Sequence, residues 1–378
     1  MKVLAVTGTR ADWGLLVTVL DALRDDYRFT LEIAVTGQHL MAGSPSLHAI
    51  VSDGHRADYL VDMQLGDDDS PAALARAMGL ATAELGAVLA KSQPDFILLL
   101  GDRYEILATA LAAVVARVPI VHMFGGDVTE GAIDDSIRHA ITKLSGLHFA
   151  SNAESATRIV QMGEDPNLVH NVGSTGIDRI LELELIGRED FFASVGVAPQ
   201  VKNFVITFHP ATLSDNSTAQ AQAMLDALDA FPDAGLIFTG SNADPGAREI
   251  DALIEEFVLG REGAVFHASL GSLRYFSALT HCDLVLGNSS SGLTEAPSFR
   301  LPTVNIGDRQ ARRPRAASVI DCVPEPKNII AAIRSGLGLN CDDVTNPFGC
   351  GHATPQIIDV LARIPSARTL VQKRFLDR

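Results

Sequence analysis

Short apolar runs alternate along the whole chain with longer amphipathic or alanine-rich stretches. In the first half the apolar runs cover residues 2–7, 30–35, 96–100, 119–123, 147–150 and 168–172. In the second half they cover residues 204–208, 235–239, 264–267, 284–286, 303–306 and 318–320. These runs are apolar at nearly every position rather than at alternate ones, which is typical of parallel strands buried on both faces. The pattern therefore predicts an α/β fold with two doubly wound sheets.

The chain has 378 residues, more than one ordinary hydrophobic core accommodates, so we expect two domains. We place an N-terminal Rossmann-like domain at residues 1–173 and a C-terminal Rossmann-like domain at residues 174–353. Two further helices, at 356–364 and 367–376 within the segment 354–378, are expected to pack on the hinge or on the N-terminal domain. Doubly wound sheets bind ligands beyond the carboxyl ends of their strands. We therefore expect the active site in the cleft between the domains.

Composition narrows the possible partners. The formal net charge of −16 argues against nucleic acid and anionic membranes, so any phosphate must bind in a local cationic pocket. The four cysteines show no CxxC spacing, which argues against a disulfide scaffold or a structural zinc, and we expect no metal and no cofactor. No basic stretch precedes an apolar one near the start, and no apolar run approaches 18 residues. We expect a cytoplasmic protein without a membrane segment.

Three loops that follow strands of the first domain carry polar side chains. The first is Gly8-Thr-Arg-Ala-Asp12, where a helix start and Arg10 suit an anion, although a plain strand-to-helix turn would read the same. The second is Gly101-Asp-Arg-Tyr-Glu105, in which Asp102 and Arg103 follow a buried strand; Asp102 is equally suited to capping the next helix. The third runs from His122 to His139 and contains Gly125, Gly126, Asp127, Asp134 and Arg138. Its glycines are expected to let backbone approach a ligand, and Asp134 and Arg138 have the spacing of an i,i+4 pair.

The second domain has its own set of loops. His209 and Pro210 end a strand, and Asn242 lies in a turn-rich loop after the next strand. The run Gly287-Asn-Ser-Ser-Ser-Gly292 follows residues 284–286 and opens a helix, so hydroxyls and amides converge as a diphosphate requires. Glu295 follows within the first turns, placed to accept hydrogen bonds from ribose hydroxyls. Residues 307–315 concentrate arginines, among them Arg309, in an otherwise acidic chain.

Taken in order, these motifs resemble the hydrolysing UDP-N-acetylglucosamine 2-epimerases of bacterial sialic acid synthesis and their legionaminic-pathway relatives. The resemblance also includes the motif that runs from Asp134 to Ser145, and extends to about Gly351. It implies two domains of the glycosyltransferase-B type, assembled as a homodimer or a higher oligomer. The implied reaction converts UDP-N-acetylglucosamine and water to N-acetylmannosamine and UDP. The resemblance assigns the diphosphate to His209, Arg10, Ser289, Ser290 and Arg309, the nucleoside to Asn242 and Glu295, and the sugar to Asp102, Arg103, Asp134 and Arg138.

The implied chemistry needs a base and an acid at C2 of the sugar, because elimination to a glycal is followed by hydration on the opposite face. Several family members carry a carboxylate just before the two glycines, where this chain has Phe124. We infer that Asp127 or Asp134 supplies that function, so the candidate catalytic set is Asp102, Asp127, Asp134 and His209. An apolar Phe124 also suits a 2,4-diacetamido-6-deoxy sugar. The alternatives are a hydrolysing epimerase of that sugar, a non-hydrolysing epimerase, a glycosyltransferase and a non-catalytic sugar-nucleotide sensor.

Overall fold

A computed structural model describes residues 1–41, 46–66, 70–129, 133–210, 216–241 and 246–376. By its internal contacts the chain forms two compact units. Unit 1 comprises Met1–Val128, Ile133–Arg179 and Gly349–Arg378, and unit 2 comprises Thr129–Ala132 and Ile180–Phe348. The chain thus leaves unit 1 just after the expected boundary at 173 and returns to it for its last segment.

Unit 1 is built on a parallel sheet of seven strands over the described residues, in the order β3-β2-β1-β4-β5-β6-β7. The strands are β1 (Lys2–Thr7), β2 (Thr30–Val35), β3 (Tyr59–Leu60), β4 (Phe96–Leu100), β5 (Ile120–Met123), β6 (Leu147–Ala150) and β7 (Val169–Asn171). The helices of unit 1 are α1 (Arg10–Asp25), α2 (Ser46–Ser52), α3 (Pro71–Ser92), α4 (Tyr104–Ala116), α5 (Ile133–Leu144), α6 (Ala153–Gln161) and, crossing into unit 2, α7 (Thr175–Glu182).

Unit 2 repeats the architecture with a parallel sheet of six strands in its described part, in the order β10-β9-β8-β11-β12-β13. The strands are β8 (Lys202–Thr207), β9 (Ala234–Thr239), β10 (Ala264–His267), β11 (Leu284–Gly287), β12 (Thr303–Ile306) and β13 (Val319–Cys322). The helices are α8 (Arg188–Val195), α9 (Ser217–Leu228), α10 (Ala247–Leu259), α11 (Gly271–His281), α12 (Ser291–Thr294) and α13 (Pro326–Leu337), and α14 (Ala353–Ala362) belongs to unit 1.

Both faces of each sheet are buried, which explains the continuous apolar runs. Along β1, Val3 and Ala5 pack into one hydrophobic cluster while Leu4 and Val6 pack into another. In unit 2, Phe204 and Ile206 of β8 face one cluster and Val205 faces a second. Because each strand side chain is covered by helices on its own side, nearly every strand position must be apolar. The predicted α/β class with two Rossmann-like units is confirmed.

The C-terminal segment closes on unit 1. Ile357 and Leu361 of α14 are fully buried in the same cluster as Trp13 and Leu16 of α1. The carboxylate of Asp178 accepts hydrogen bonds from the first two amides of α14, at 3.0 and 2.5 Å. The helix predicted for residues 367–376 is wrong: only a 3-10 turn at Ala367–Leu370 forms. So short a segment gains little from helix formation, and its last residues instead contact α5, as described below.

One helix of the described residues, α3, is long and apolar enough to cross a membrane when only length and composition are counted. The sequence analysis expected no apolar stretch of that length. Ala77, Ala81, Leu85 and Leu89 of α3 lie in a core cluster of unit 1 together with residues of α4. One face of α3 is therefore buried in the core of unit 1.

Gly287 is the position where the unit 2 sheet tolerates no side chain. Its φ is +129°, and a Cβ atom there would lie 1.9 Å from the carbonyl oxygen of Thr207 on the adjacent strand. We expect Gly287→Ala to destabilise unit 2 by about 3 kcal/mol or more, because overpacking and backbone strain add. Urea unfolding at equilibrium measures this.

The matched control is Gly79→Ala on the exposed side of α3, where an added Cβ meets no atom within 4 Å. Alanine favours a helix by up to about 1 kcal/mol over glycine, so this variant should be as stable as the parent or slightly more so. Equal unfolding midpoints for the two variants would contradict the close approach at Gly287.

Candidate active site

The chain reverses its winding direction at one place in each sheet, and these are the places where doubly wound folds bind ligands. In unit 1 the reversal lies between β1 and β4, and in unit 2 between β8 and β11. Four of the loops selected from the sequence follow these strands: Gly8–Asp12, Gly101–Glu105, Phe208–Pro210 and Gly287–Gly292. The third loop of the first domain follows β5, the neighbour of β4.

After β1, the hydroxyl of Thr9 caps α1 by accepting from the amide of Asp12 at 3.2 Å. Arg10 is the first residue of this 16-residue helix, and it is exposed to solvent. A helix N-terminus with an arginine beside it suits an anion. The assignment of Arg10 to a diphosphate stays a prediction.

Two buried carboxyl groups, Asp12 and Glu105, lie beneath this turn, and the sequence analysis did not select them. Glu105 is fully buried, packs directly against Gly8, and accepts a hydrogen bond from Nε of Arg103 at 2.9 Å. Burial, followed by the charge of Glu105, raises the pKa of Asp12 to about 7. The signal available in the sequence was an acid two residues after Arg103 and another two after Arg10.

Arg103 is therefore anchored before it meets any ligand. Burial lowers its pKa, but the charge and hydrogen bond of Glu105 outweigh burial, so the net shift is upward and the guanidinium stays charged. Its guanidinium carbon also lies 5.3 Å from the centre of the Tyr104 ring. The backbone of Arg103, and not the Asp102 side chain, occupies the cap position of α4, which removes the capping explanation of Asp102.

Asp102 instead forms an ion pair with Arg138 of α5. Arg138 is buried, and its guanidinium also contacts the carbonyl oxygen of Asp127 at 2.8 Å and the carboxylate of Asp135 at 3.6 Å. Because an unpaired buried guanidinium is costly, these contacts fix the side chain. The structure thus brings Asp102 and Arg138 together, as the resemblance implied, and gives Arg138 the partner Asp135 on its own helix.

A buried histidine connects the same two elements. His122 on β5 lies 2.8 Å through Nε2 from the carbonyl oxygen of Gly101, and 3.3 Å through Nδ1 from the hydroxyl of Thr142. Burial lowers the pKa of His122 to about 3, so the ring is neutral and donates one N–H to Gly101. His122 therefore holds the residue before Asp102 against the last turn of α5.

Asp134 lies in the first turn of α5 and is partly buried. Burial raises the pKa of Tyr104, and the charges of Glu105 and Asp134 raise it further. The Asp134 carboxylate is thus close enough to the β4 loop to act on its residues electrostatically. Asp102 and Arg138 are paired at this end of the sheet, and Asp134 lies one turn before Arg138 on α5.

Asp127 has a different environment. Its carboxylate accepts hydrogen bonds from the hydroxyls of Ser151 and Ser155 and from the amide of Asn152, the residue that caps α6. A carboxylate held by three donors beside a helix start anchors that helix. These contacts give Asp127 a role in holding the start of α6, and its predicted catalytic role stays a prediction.

The two glycines before Asp127 let the same loop pack closely against α5 and α6. A Cβ at Gly126 would lie 2.3 Å from the carbonyl oxygen of Ser155, and one at Gly125 would lie 2.8 Å from the Thr142 hydroxyl. Both glycines are therefore required for close contact with α5 and α6, and the approach of their backbone to a ligand stays a prediction. Phe124 has φ +61° and is only 9% exposed, packed in the core cluster that contains Met123 and Phe149.

In unit 2 the main feature is Asn288, which fixes His209. The side-chain oxygen of Asn288 accepts from the amide of His209 at 2.7 Å, and its nitrogen donates to the carbonyl of His209 at 2.8 Å. Asn288 is 1% exposed. Burial, followed by the charge of Arg309, lowers the pKa of His209 to about 3. His209 thus has a fixed backbone and a neutral imidazole close to the charge of Arg309.

Arg309 is attached to the same residue. The carbonyl oxygen of Asn288 accepts from Nη1 of Arg309 at 3.2 Å and from the amide of Gln310 at 2.9 Å. Arg315, in the same basic stretch, bonds the carbonyl oxygens of Gln310 and Arg313 and pairs with Asp321, so it shapes the loop. Asn288 lies in the motif Gly287–Gly292 that was selected from the sequence. Its role in holding His209 and Arg309 could not be predicted, because both partners are distant along the chain.

The helix that follows the serines beside Asn288 is short, so it holds these serines less than the sequence predicted. The helix α12 spans only Ser291–Thr294 and is followed by a 3-10 turn at Ala296–Phe299, and Ser290 makes no side-chain cap bond. Ser289 and Ser290 are partly exposed. Burial raises the pKa of Glu295, whose carboxylate accepts from the Thr294 hydroxyl at 2.5 Å. Asn242, the remaining candidate, lies outside the described residues.

The two hydrogen bonds between the Asn288 side chain and the backbone of His209, called the clamp below, lead to a prediction about the pH dependence of UDP binding. Asn288→Asp keeps the acceptor oxygen but removes the donor and adds a negative charge, which favours a protonated imidazole. We expect UDP affinity to fall at least about tenfold, since a buried hydrogen bond is lost and the carbonyl of His209 is left unpaired. The raised His209 pKa should add pH dependence near pH 5–7, where the parent histidine does not titrate.

The matched control is Asn340→Asp, the same substitution at an exposed residue of unit 2 whose oxygen also accepts one amide hydrogen bond. UDP titrations at several pH values measure both variants. If Asn288→Asp binds UDP like the Asn340→Asp control at every pH, the clamp has no functional role.

Comparison with known proteins identifies the family. Residues 21–362 match the model of the UDP-N-acetylglucosamine 2-epimerase family. The polysialic acid biosynthesis protein P7 of Escherichia coli is 36% identical over 100% of this chain and 97% of its own length. The GDP/UDP-N,N'-diacetylbacillosamine 2-epimerase (hydrolyzing) of Campylobacter jejuni is 34% identical over 85% of this chain and 84% of its own.

A solved structure agrees in fold. The UDP-GlcNAc 2-epimerase of Neisseria meningitidis, in its complex with UDP-GlcNAc, superposes with a TM-score of 0.81 at 19% identity, covering 96% of this chain and 99% of that one. The likeness shows the glycosyltransferase-B-like fold, with two Rossmann-like units, that the sequence predicted. The chain belongs to the UDP-N-acetylglucosamine 2-epimerase family.

Proposed function

We propose that the protein is a hydrolysing epimerase that converts a UDP-linked N-acetylated hexosamine and water to UDP and the free 2-epimer. The observation that carries the proposal is the pair Asp102–Arg138, with Asp134 on the same helix as Arg138, at the carboxyl end of β4. Relatives at 34% and 33% identity are named as hydrolysing 2-epimerases, which supports the hydrolytic outcome.

Unit 2 supplies the groups that suit UDP. Arg309 offers a positive charge, and the hydroxyls of Ser289 and Ser290 offer donors to the diphosphate, where negative charge develops as the anomeric C–O bond breaks. His209 is neutral and buried, so it serves as a hydrogen-bond donor or proton carrier rather than as a permanent cation. Glu295 would accept from the nucleoside hydroxyls once it is ionised.

Unit 1 supplies the groups for C2 of the sugar. Cleavage of the C–O bond gives an oxocarbenium-like sugar, from which a carboxylate removes the C2 proton to leave a glycal. Water then adds at C1 while an acid returns a proton to the opposite face of C2. We assign these two steps to Asp102 and Asp134. Asp127 lies among three donors and is assigned the task of holding α6 instead.

UDP-N-acetylglucosamine is the proposed substrate, and the UDP-linked 2,4-diacetamido-6-deoxy sugar is the second candidate because two relatives are named for diacetylbacillosamine. Phe124 does not favour the 6-deoxy sugar, since its side chain packs in the core of unit 1. A role in sialic or legionaminic acid synthesis, a cytoplasmic location and a homo-oligomeric state stay predictions.

The test is a substrate panel with product analysis. The purified protein is incubated separately with UDP-N-acetylglucosamine and with UDP-N,N'-diacetylbacillosamine, and UDP and sugar products are resolved by chromatography and mass spectrometry. We expect UDP and a free 2-epimer in equal amounts from the first compound. Turnover of the second alone would change the substrate and keep the mechanism.

Other outcomes would contradict the proposal. A UDP-linked 2-epimer without free UDP identifies a non-hydrolysing epimerase. Consumption of the UDP-sugar only when an acceptor is added identifies a glycosyltransferase. Binding of UDP without turnover of either compound identifies a sensor.

A further inference from the structure

A cluster of charged side chains outside the candidate site joins the C-terminal segment to the end of α5. The ammonium group of Lys373 donates to the carbonyl oxygens of Thr142, Lys143 and Ser145, at 3.1, 2.6 and 2.8 Å. The same group lies 2.6 Å from the carboxylate of Glu164. No part of the proposed reaction uses these residues.

The contacts are those that a helix end requires. The last four carbonyl groups of a helix lack partners within the helix, and the partial negative charge at this end attracts cations. An ammonium group has three N–H donors and no acceptor, so one lysine can bind several carbonyls together. The hydroxyl of Ser145 serves a further one by donating to the carbonyl of Ile141 at 2.7 Å.

Glu164 is the anchor that holds Lys373 in place. Its side chain is 3% exposed and also accepts from Lys143 at 2.6 Å and from His148 at 3.1 Å. Burial would raise the pKa of Glu164, but the hydrogen bonds from His148 and the two lysines hold it at about 2. The tail is fixed once more where the amide of Leu376 donates to the carbonyl of Gly163 at 3.2 Å.

The contacts of Lys373 with Thr142 lie one helical turn along α5 from Arg138 of the candidate active site. The carbonyl oxygen of Thr142 accepts a hydrogen bond from Lys373. The hydroxyl of Thr142 lies 3.0 Å from the carbonyl oxygen of Arg138 and 3.3 Å from Nδ1 of His122. Arg138 pairs with Asp102, while His122 holds the carbonyl of Gly101. A shift of the last turn of α5 would therefore move both residues that define the position of Asp102.

We propose that Lys373 is a positioning residue for the Asp102–Arg138 pair: by capping the last turn of α5 it fixes the geometry of the acids that act on the sugar. The proposal rests on the proposed function for its kinetic consequence, but the capping itself does not depend on which substrate is used.

The kinetic experiment compares Lys373→Met, which keeps length and loses charge, with Lys373→Arg, which keeps the cation. We expect Lys373→Met to lower kcat about tenfold, because small displacements of catalytic groups are costly. The Kd for UDP should change less than about twofold, since Lys373 contacts none of the described residues proposed to bind UDP, and KM should change less than kcat. Lys373→Arg should restore at least half of kcat.

Two further variants separate positioning from stability. Lys202→Met removes an exposed lysine of unit 2 that pairs with Asp283, and it should leave kcat unchanged. Ile357→Val trims a fully buried residue of α14 and should lower Tm by a few degrees without altering α5. If Lys373→Met reduces kcat no more than Ile357→Val does at a matched loss of Tm, the positioning role is overturned.

A second measurement needs no turnover. Native-state hydrogen exchange, followed by mass spectrometry, should show faster exchange in peptides that cover α5 in Lys373→Met than in the parent or Lys202→Met. Unchanged exchange in α5 would overturn the capping proposal. If no UDP-sugar is turned over by the parent protein, the proposed function fails, while the exchange result still decides the role of Lys373.

Discussion

The buried guanidinium of Arg138 is the constraint around which the polar end of unit 1 is arranged. It lies on α5 yet is bound to Asp102 after β4, to the carbonyl of Asp127 after β5, and to Asp135 one turn away. A buried charge of this kind is tolerated only when its donors are satisfied, so loss of any one partner disturbs the others. The positions of Asp102 and of the start of α5 are thereby coupled.

In unit 2 a neutral side chain, that of Asn288, holds the residues of the candidate site in position. The side-chain amide of Asn288 forms two hydrogen bonds with the backbone of His209. The backbone carbonyl of Asn288 accepts hydrogen bonds from the side chains of Arg309 and Gln310. The backbone of His209 and the guanidinium of Arg309 are therefore bound to one residue that is almost fully buried. In both units the groups proposed to touch the substrate are held by contacts that need no ligand, which is the condition for electrostatic preorganisation.

Much of this could be predicted from residue patterns alone. Continuous apolar runs located β1, β2 and β4 at their observed bounds, because both faces of each sheet are covered. The strand-end loops followed from the parallel topology. The two-residue strand β3 is too short to give a pattern, and the last predicted helix does not form because its residues bind the end of α5 instead.

The finer roles could not be read from the sequence because they depend on partners far apart in the chain. The sequence offers Asp127 as a replacement for a missing carboxylate, but it does not reveal that Ser151, Asn152 and Ser155 donate to that carboxylate. Phe124 looked like a specificity residue, but a left-handed backbone turns it into the core. Asp12 and Glu105 are ordinary acids by spacing, and only burial reveals their coupling.

The central claim is that carboxylates of unit 1 remove and return the hydrogen at C2 during hydrolysis. Turnover of UDP-N-acetylglucosamine in deuterated water tests it most directly, with the sugar product examined by NMR and mass spectrometry. The account predicts one deuterium at C2 of the free 2-epimer, and turnover reduced at least about 100-fold in Asp102→Asn and in Asp134→Asn. A product that keeps its original hydrogen at C2, or near-normal turnover in both variants, would contradict it.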